Sequence, residues 1–271
     1  MTTRLSSRQT RAAIERLGIE RPLITAFAVA DDARRVRYSM HEHSRHQLLV
    51  ASAGSFWVET RDRLHMCDAT VGLWIPARCR HATTMNVSGT LSIFFSPGRY
   101  ASPVRGASPV TMTPLLRHMA VAAVEEMPSV APAVRRQFFD VLFALVMRGR
   151  RADAGVALPN PADPRLASAV AHLLDHLDTV TVPELARAAA SSERTLRRRF
   201  LTELRLTPEH YIRRARLIRA AHILAGDRRA SILDVALLVG YSNHSAFTAA
   251  FRRMFGTPPS AIRRTGTPVE A

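Results

Sequence analysis

Residues 231–264 read SILDVALLVGYSNHSAFTAAFRRMFGTPPSAIRR. Ser231-Ile-Leu-Asp234 is a helix-start signal, with a capping hydroxyl three residues before a carboxylate. Val235 and Ala236 form the buried side of a short helix. Gly240 falls in the turn that follows, where only glycine takes up positive φ freely. Phe247 and Phe251 then mark the buried face of a second helix.

The same pattern stands upstream. Residues 185–204 read LARAAASSERTLRRRFLTEL. Leu185 and Ala186 correspond to Val235 and Ala236, and Leu196 and Phe200 to Phe247 and Phe251. Ala186 precedes Phe200 by 14 positions and Ala236 precedes Phe251 by 15, so the second turn is one residue longer. Thr181-Val-Pro-Glu184 is a capping box that opens the first copy, and Ser192 caps its second helix, which runs to about Leu204. Thr207-Pro208 opens a long helix over 208–225, stopped by Gly226-Asp227. A small alanine lets two helices cross closely and presents the second outward, as in a helix-turn-helix. A repeat of this geometry is far more specific than a single copy.

These residues resemble the AraC/XylS family of bacterial regulators over about 165–264. The signature lies at Ala236, Gly240-Tyr241, Phe247, Phe251, Phe255-Gly256 and Pro259. Two positions depart from the pattern. Arg205 stands where the family usually has glycine after the first recognition helix, and Ala190 replaces the frequent glycine of the first turn. The resemblance implies two recognition helices entering consecutive major grooves of promoter DNA. Arg194, Arg197 and Arg198 occupy the DNA-facing positions of the first, and their i, i+3, i+4 spacing sets them opposite Leu196 and Phe200. Arginine reads guanine bidentately or holds phosphate. On the second, His244, Ser245, Thr248 and Ala249 face outward, a weakly polar set that discriminates bases less. Arg252, Arg253, Arg263 and Arg264 are phosphate candidates.

The N-terminal part has another texture. From Leu23 to Pro97, short β-prone runs (ITAFAV, HQLLVASAG, SFWVET, ATVGLWIP, GTLSIFFSP) alternate with Gly, Asp and Pro, the pattern of a β-barrel or sandwich. Residues 41–54 read HEHSRHQLLVASAG and 72–81 read GLWIPARCRH. Both resemble cupin motifs, in which His, His, Glu or Gln, and His converge on a metal. His41, His43, Gln47 and His81 stand at those positions, and alternation is expected to put His41 and His43 on one strand face. A divalent metal is the cofactor such a set implies. Binding a small organic ligand, or capping the barrel mouth, explains the same histidines. Gln47 replaces the usual glutamate, Arg78 stands where the second motif often has glycine, and Arg45, Arg78 and Arg80 add unfavourable positive charge. Trp57, Trp74 and Phe94 are candidate pocket lining, with plain core as the competing role.

The expected fold is α+β in two domains. Residues 1–148 form a cupin-like barrel with a helical dimerisation segment at 113–126 and 132–147. Residues 149–164 (GRRADAGVALPNPADP) form a linker, and 165–271 an all-α double helix-turn-helix domain. The net charge of +16, carried entirely by arginine, suits a polyanionic partner, although an Arg- and Ala-rich composition has a genomic explanation too. Cys67 and Cys79 make no disulfide framework, and no apolar run approaches a membrane span, so a cytoplasmic, non-membrane setting is expected. The expected partners are promoter DNA, a small-molecule effector, a second copy of the chain and, for an activator, RNA polymerase.

Two other classes compete. A metal-dependent cupin enzyme would use the same histidines, but the glutamine and the fused DNA-binding half argue against it, and the sequence holds no nucleophile elbow, phosphate-cradling glycine loop or H-E-x-x-H. A nonspecific DNA-coating protein has no need of two phased recognition helices and a sensor.

Overall fold

The structure is a computed structural model that describes residues 3–20, 24–31, 36–85, 89–150, 157–227 and 229–265. The chain divides into two compact units, residues 1–60 with 65–153, and residues 61–64 with 154–271.

The first unit is β-rich. It begins with β1 (Thr3–Arg4) and α1 (Ser7–Arg16), whose N-terminus is closed by a reciprocal Ser6–Gln9 capping box. Nine strands follow: β2 (Ala26–Asp31), β3 (Val36–His41), β4 (His46–Ala53), β5 (Ser55–Glu59), β6 (Arg63–Asp68), β7 (Val71–Ile75), β8 (His81–Met85), β9 (Gly89–Phe95) and β10 (Ser108–Thr111). One sheet runs β10-β7-β4-β9-β2 and the other contains β1-β3-β8-β5-β6. Period-two alternation gives the first sheet two apolar faces. Leu49, Ala51, Leu73 and Ile75 meet Phe56, Val58 and Met85 of the second sheet. Leu48, Val50, Trp74, Ile93 and Phe95 turn the other way, onto α2 (Pro114–Glu125) and α3 (Pro132–Gly149). The expected barrel is therefore a two-sheet sandwich, since among the described residues the pairing leaves two separate sheets with no closing ladder. Strands β3, β6, β8 and β10 carry polar and charged residues at alternate positions and make no apolar run, which is why they are not among the five runs legible in the sequence.

Among its described residues from 157 onward, the second unit is helical apart from β11 (Ala157–Pro159). Its helices are α4 (Pro164–Asp175), α5 (Val182–Ala188), α6 (Glu193–Leu204), α7 (Pro208–Gly226), α8 (Ile232–Leu238), α9 (His244–Phe255) and α10 (Pro259–Thr265). Residues 157–163 lie within this unit and are packed, against the expectation of a linker with little to pack. Leu158 is fully buried, the Tyr211 hydroxyl donates to the Pro159 carbonyl (2.9 Å), and Asp163 caps α4. Residues 151–156 of that expected linker, and the side chain of Arg264, lie outside the described residues. Phe247, Phe251 and Phe255 stack in sequence against Leu217, Ala221 and Leu224 of α7. Each such buried ring contributes about 1.5–3 kcal/mol of hydrophobic stabilisation. Among the described residues no helix is long and apolar enough to cross a membrane.

Candidate functional site

The two copies of the C-terminal pattern are built alike. In the first, the Glu184 carboxylate accepts from the Thr181 amide (2.8 Å), and Ser192 Oγ accepts from the Thr195 amide (3.2 Å). In the second, Ser231 Oγ accepts from Asp234 N, and Asn243 Oδ1 accepts from the amides of Ser245 (2.8 Å) and Ala246 (3.0 Å). The buried alanines Ala186 and Ala236 bring the paired helices close, and Leu196, Phe200, Phe247 and Phe251 are fully buried beneath α6 and α9. The long helix α7 is capped by Thr207 and contacts helices of both copies.

The turns differ in how they meet the left-handed region. Gly240 has φ +83° and Gly256 φ +70°. Among the described residues, three non-glycine residues share this region: Arg78 (φ 60°), Ala190 (φ 46°) and Arg205 (φ 57°). These are the three positions at which the sequence lacks a glycine that the family patterns favour. Each costs of order 1 kcal/mol.

The candidate DNA-facing residues separate clearly. Arg194, Arg197 and Arg198 are exposed on α6, as are His244, Ser245, Ala249, Arg252 and Arg253 on α9. Thr248 is a correction: it is half-buried, and its hydroxyl is shielded from solvent without a hydrogen-bond partner. It follows the buried Phe247 directly and sits at the edge of the packed face. Arg263 donates to the Ala230 carbonyl (3.3 Å), tying α10 to the start of the second copy. Two features escaped the sequence. Arg197 is held by Glu193 of its own helix (3.0 Å) and by Glu209 of α7 (2.9 Å). Arg216 of α7 donates to the carbonyls of Leu177, Asp178 and Gly240. Only the fold brings Glu209, or those carbonyls, within reach.

In the first unit the three motif histidines do come together. Ring centroids lie 4.3 Å apart for His41–His81, 5.3 Å for His43–His81 and 6.3 Å for His41–His43. The route differs from the expected one. His41 ends β3 and pairs directly with His81 of β8, beside a register shift after Tyr38. His43 lies beyond β3 in the connection to β4, so His41 and His43 do not share a strand face. Each ring is anchored at Nδ1 by a backbone carbonyl: His41 by Ser39 (2.7 Å), His43 by Arg45 (2.8 Å) and His81 by Cys79 (2.9 Å). Donation at Nδ1 leaves Nε2 as the lone-pair nitrogen, the tautomer that a ligand donor or a metal takes.

Burial is the main cause that lowers the pKa of all three imidazoles, His81 furthest, with its two neighbours adding to the effect. His43 Nε2 lies 3.1 Å from Gln47 Oε1, and Gln47 Nε2 donates to Ser92 Oγ (2.9 Å). A neutral His43 cannot donate at both nitrogens. Turning the Gln47 amide over satisfies the ring and Ser92 together. Among the described residues no group of three or more His, Cys, Asp or Glu side chains is disposed to hold a metal ion. The arrangement is therefore a cluster of neutral imidazoles with hydrogen-bonding capacity, not an assembled metal cage.

The lining is also corrected. Trp74 is fully buried on the opposite face of its sheet, against Phe95 and Phe143, and its indole N–H donates to Ser102 (3.0 Å). Trp57 alternates with Phe56 and Val58, which face between the sheets, so it turns to the outer face. Phe94 does reach the cluster, edge-on to His43 at 5.6 Å and stacked on Phe27 at 5.2 Å. Arg45 is buried over Phe27 and donates to the Ile19 carbonyl, so its charge is engaged, whereas Arg78 and Arg80 are exposed. Cys67 is buried, with its thiol pushed up by burial, and neither Cys67 nor Cys79 forms a disulfide.

Two capped helix-turn-helix units on one connecting helix define the C-terminal unit as a double helix-turn-helix domain. Residues 185–265 match the model of a helix-turn-helix domain family. The chain is 35% identical over 127 residues to the HTH-type transcriptional activator RhaS of Escherichia coli strain SE11, covering 46% of this chain and 45% of that protein. It is 32% identical over 126 residues to RhaS of Escherichia fergusonii, again with 46% and 45% coverage. It thus spans about half the length of the curated relatives it matches. Among solved structures, an AraC-type transcriptional regulator from Chromobacterium violaceum shares 26% identity, covering 39% of this chain and 94% of that one, with a TM-score of 0.37. The DNA-binding domain of AdpA, solved with a target DNA, shares 32% identity over 37% of this chain and 91% of that one, with a TM-score of 0.35. Residues 185–265 of the C-terminal unit thus form a domain of this helix-turn-helix family and are similar to part of the RhaS activators.

Proposed function

We propose that this protein is a sequence-specific DNA-binding transcription regulator, not an enzyme, with a small-ligand sensor in its N-terminal unit. The observation that carries the DNA-binding reading is the duplicated presentation of α6 and α9, each capped and seated on buried phenylalanines, with exposed arginines on both. Arg194, Arg197 and Arg198 supply base and phosphate contacts from α6. His244 and Ser245 make weaker base contacts from α9, and Arg252 and Arg253 hold phosphate. Its relatives are described as transcriptional activators, which favours activation with RNA polymerase as partner. Such a protein acts in the cytoplasm.

The sensor reading rests on His41, His43 and His81, three neutral imidazoles anchored at Nδ1 beside Gln47 and Phe94. With His43 Nε2 engaged by Gln47, the Nε2 atoms of His41 and His81 suit a small polar ligand that donates to them, and a metal ion is the alternative occupant. Residues 1–148 also carry the proposed dimer contact. Leu115 and Val121 on α2 and Val134 and Val141 on α3 are exposed apolar side chains, and pairing with a second copy covers the same face twice.

Selection of duplexes from a random-sequence pool by the full chain tests the DNA-binding reading. The expected result is enrichment of one motif whose two halves lie about one helical turn apart. Enrichment of no sequence would reject sequence-specific binding.

A further inference from the structure

Arg197 differs from the other arginines of its helix. Its Nε and Nη2 both donate to Glu209 Oε1 (3.1 and 2.9 Å), and its Nη1 donates to Glu193 Oε2 (3.0 Å). Glu193 lies one turn before it on α6, and Glu209 lies in the first turn of α7. Among the described residues, Arg194 and Arg198 have no carboxylate partner. The three side chains of the clamp are about half exposed (47%, 43% and 44%), so the group is presented at the surface rather than spent in the core.

We infer that Glu193 and Glu209 make Arg197 the specificity-determining residue of α6, holding it for a guanine edge and keeping it from serving as a phosphate contact. The inference rests on the DNA-binding reading and assigns a division of labour within it. A guanidinium has five N–H donors. The clamp uses three and leaves one on each terminal nitrogen, the two-donor complement that guanine O6 and N7 accept. Holding the fork from two sides also removes the rotamer freedom that an unpaired arginine loses on binding.

Charge acts in the same direction. One arginine between two carboxylates carries a net charge of −1. A phosphate brought to the fork meets two like charges with its full negative charge, whereas a base edge carries only the partial charges of its acceptors and is repelled far less. Arg194 and Arg198, unpaired, remain attractive to phosphate. The same helix thus carries nonspecific attraction and sequence reading on different arginines, a separation that raises the ratio of specific to nonspecific affinity without more contacts.

The test uses the full chain, the duplex that the wild type selects from a random pool, and an unrelated duplex of equal length, with affinities measured by fluorescence anisotropy across a salt series. Glu193→Gln and Glu209→Gln keep shape and remove charge. Together they are expected to tighten binding to the unrelated duplex about 3- to 10-fold and to steepen its log–log salt slope by up to about 1, as Arg197 becomes a phosphate contact. The ratio of specific to nonspecific affinity should fall by about tenfold. Arg197→Lys, which keeps the charge but loses the fork, should erase preference at one G·C pair while holding nonspecific affinity. An unchanged ratio in the double variant, or retained preference in Arg197→Lys, overturns the inference while the DNA-binding reading stands. A wild-type chain that enriches no sequence overturns both. Circular dichroism melts confirm that each variant is folded.

Discussion

The guanidinium of Arg216 donates to the carbonyl of Gly240, Nη1 to oxygen 3.2 Å, while its other nitrogens reach the carbonyls of Leu177 (2.7 Å) and Asp178 (2.9 Å). One side chain on α7 therefore ties the turn of the second helix-turn-helix unit to the segment that precedes the first. Gly240 is required at that junction twice over. Its φ of +83° lies where side chains are strained, and a Cβ there would stand 2.2 Å from the Asp178 carbonyl oxygen and 2.8 Å from Arg216 Cζ.

Gly240→Ala is accordingly expected to destabilise the helical unit by about 2–4 kcal/mol, from backbone strain and overpacking together. Arg216→Met should cost about 2–3 kcal/mol by leaving half-buried carbonyls without donors. Chemical denaturation of the purified variants measures both. A Gly240→Ala protein as stable as the wild type would show that the turn is not packed in this way.

Ala190 and Arg205 hold left-handed backbone without being glycine, at φ 46° and 57°. Ala190→Gly and Arg205→Gly should each stabilise the unit by about 0.5–1 kcal/mol through strain relief. The two changes lie in different turns, so their effects should add. Melting temperatures of the single and double variants decide the matter, and a lower value for either single variant contradicts the backbone geometry.

At the sensor, His41→Ala and His81→Ala variants that remain folded should lose the response of a promoter reporter to inducing conditions. Ligand coupling of about 1–3 kcal/mol corresponds to a loss of roughly 5- to 150-fold in response. Normal induction in both variants would make the imidazoles structural. Elemental analysis of the wild-type protein separates the two occupants: stoichiometric metal identifies a metal-centred sensor, and its absence leaves the organic ligand.

The apolar faces of α2 and α3 give the dimer prediction. Leu115 is 57% exposed and Val141 53%. The wild type should sediment as a dimer at micromolar concentration, and Leu115→Arg with Val141→Arg should yield a folded monomer. A wild-type monomer under those conditions removes this face from consideration as the contact.

Much of the C-terminal unit is legible in the sequence because its determinants are local. Ser192, Thr207 and Ser231 cap helices within three residues of themselves, and Gly240 answers a backbone requirement at its own position. The spacing of Leu196, Phe200, Phe247 and Phe251 follows from 3.6 residues per turn. Such features need no knowledge of distant residues. The helices at 114–125 and 132–149 and the longer apolar strands are readable for the same reason.

Tertiary structure alone decided the rest, since those features depend on residues far apart in the chain. Which face of β7 carries Trp74 depends on the sheet's register and on α3 covering it, so an aromatic proposed for the pocket lies in the core behind it. His43 joins His41 and His81 through a turn after β3, where strand alternation no longer applies. Arg197 meets Glu209 because α7 crosses α6, and the linear sequence separates them by 12 positions with no periodic relation. Caps, turns and amphipathic faces are written in short-range physics, whereas ion pairs across helices and the lining of a pocket follow only from how the elements pack.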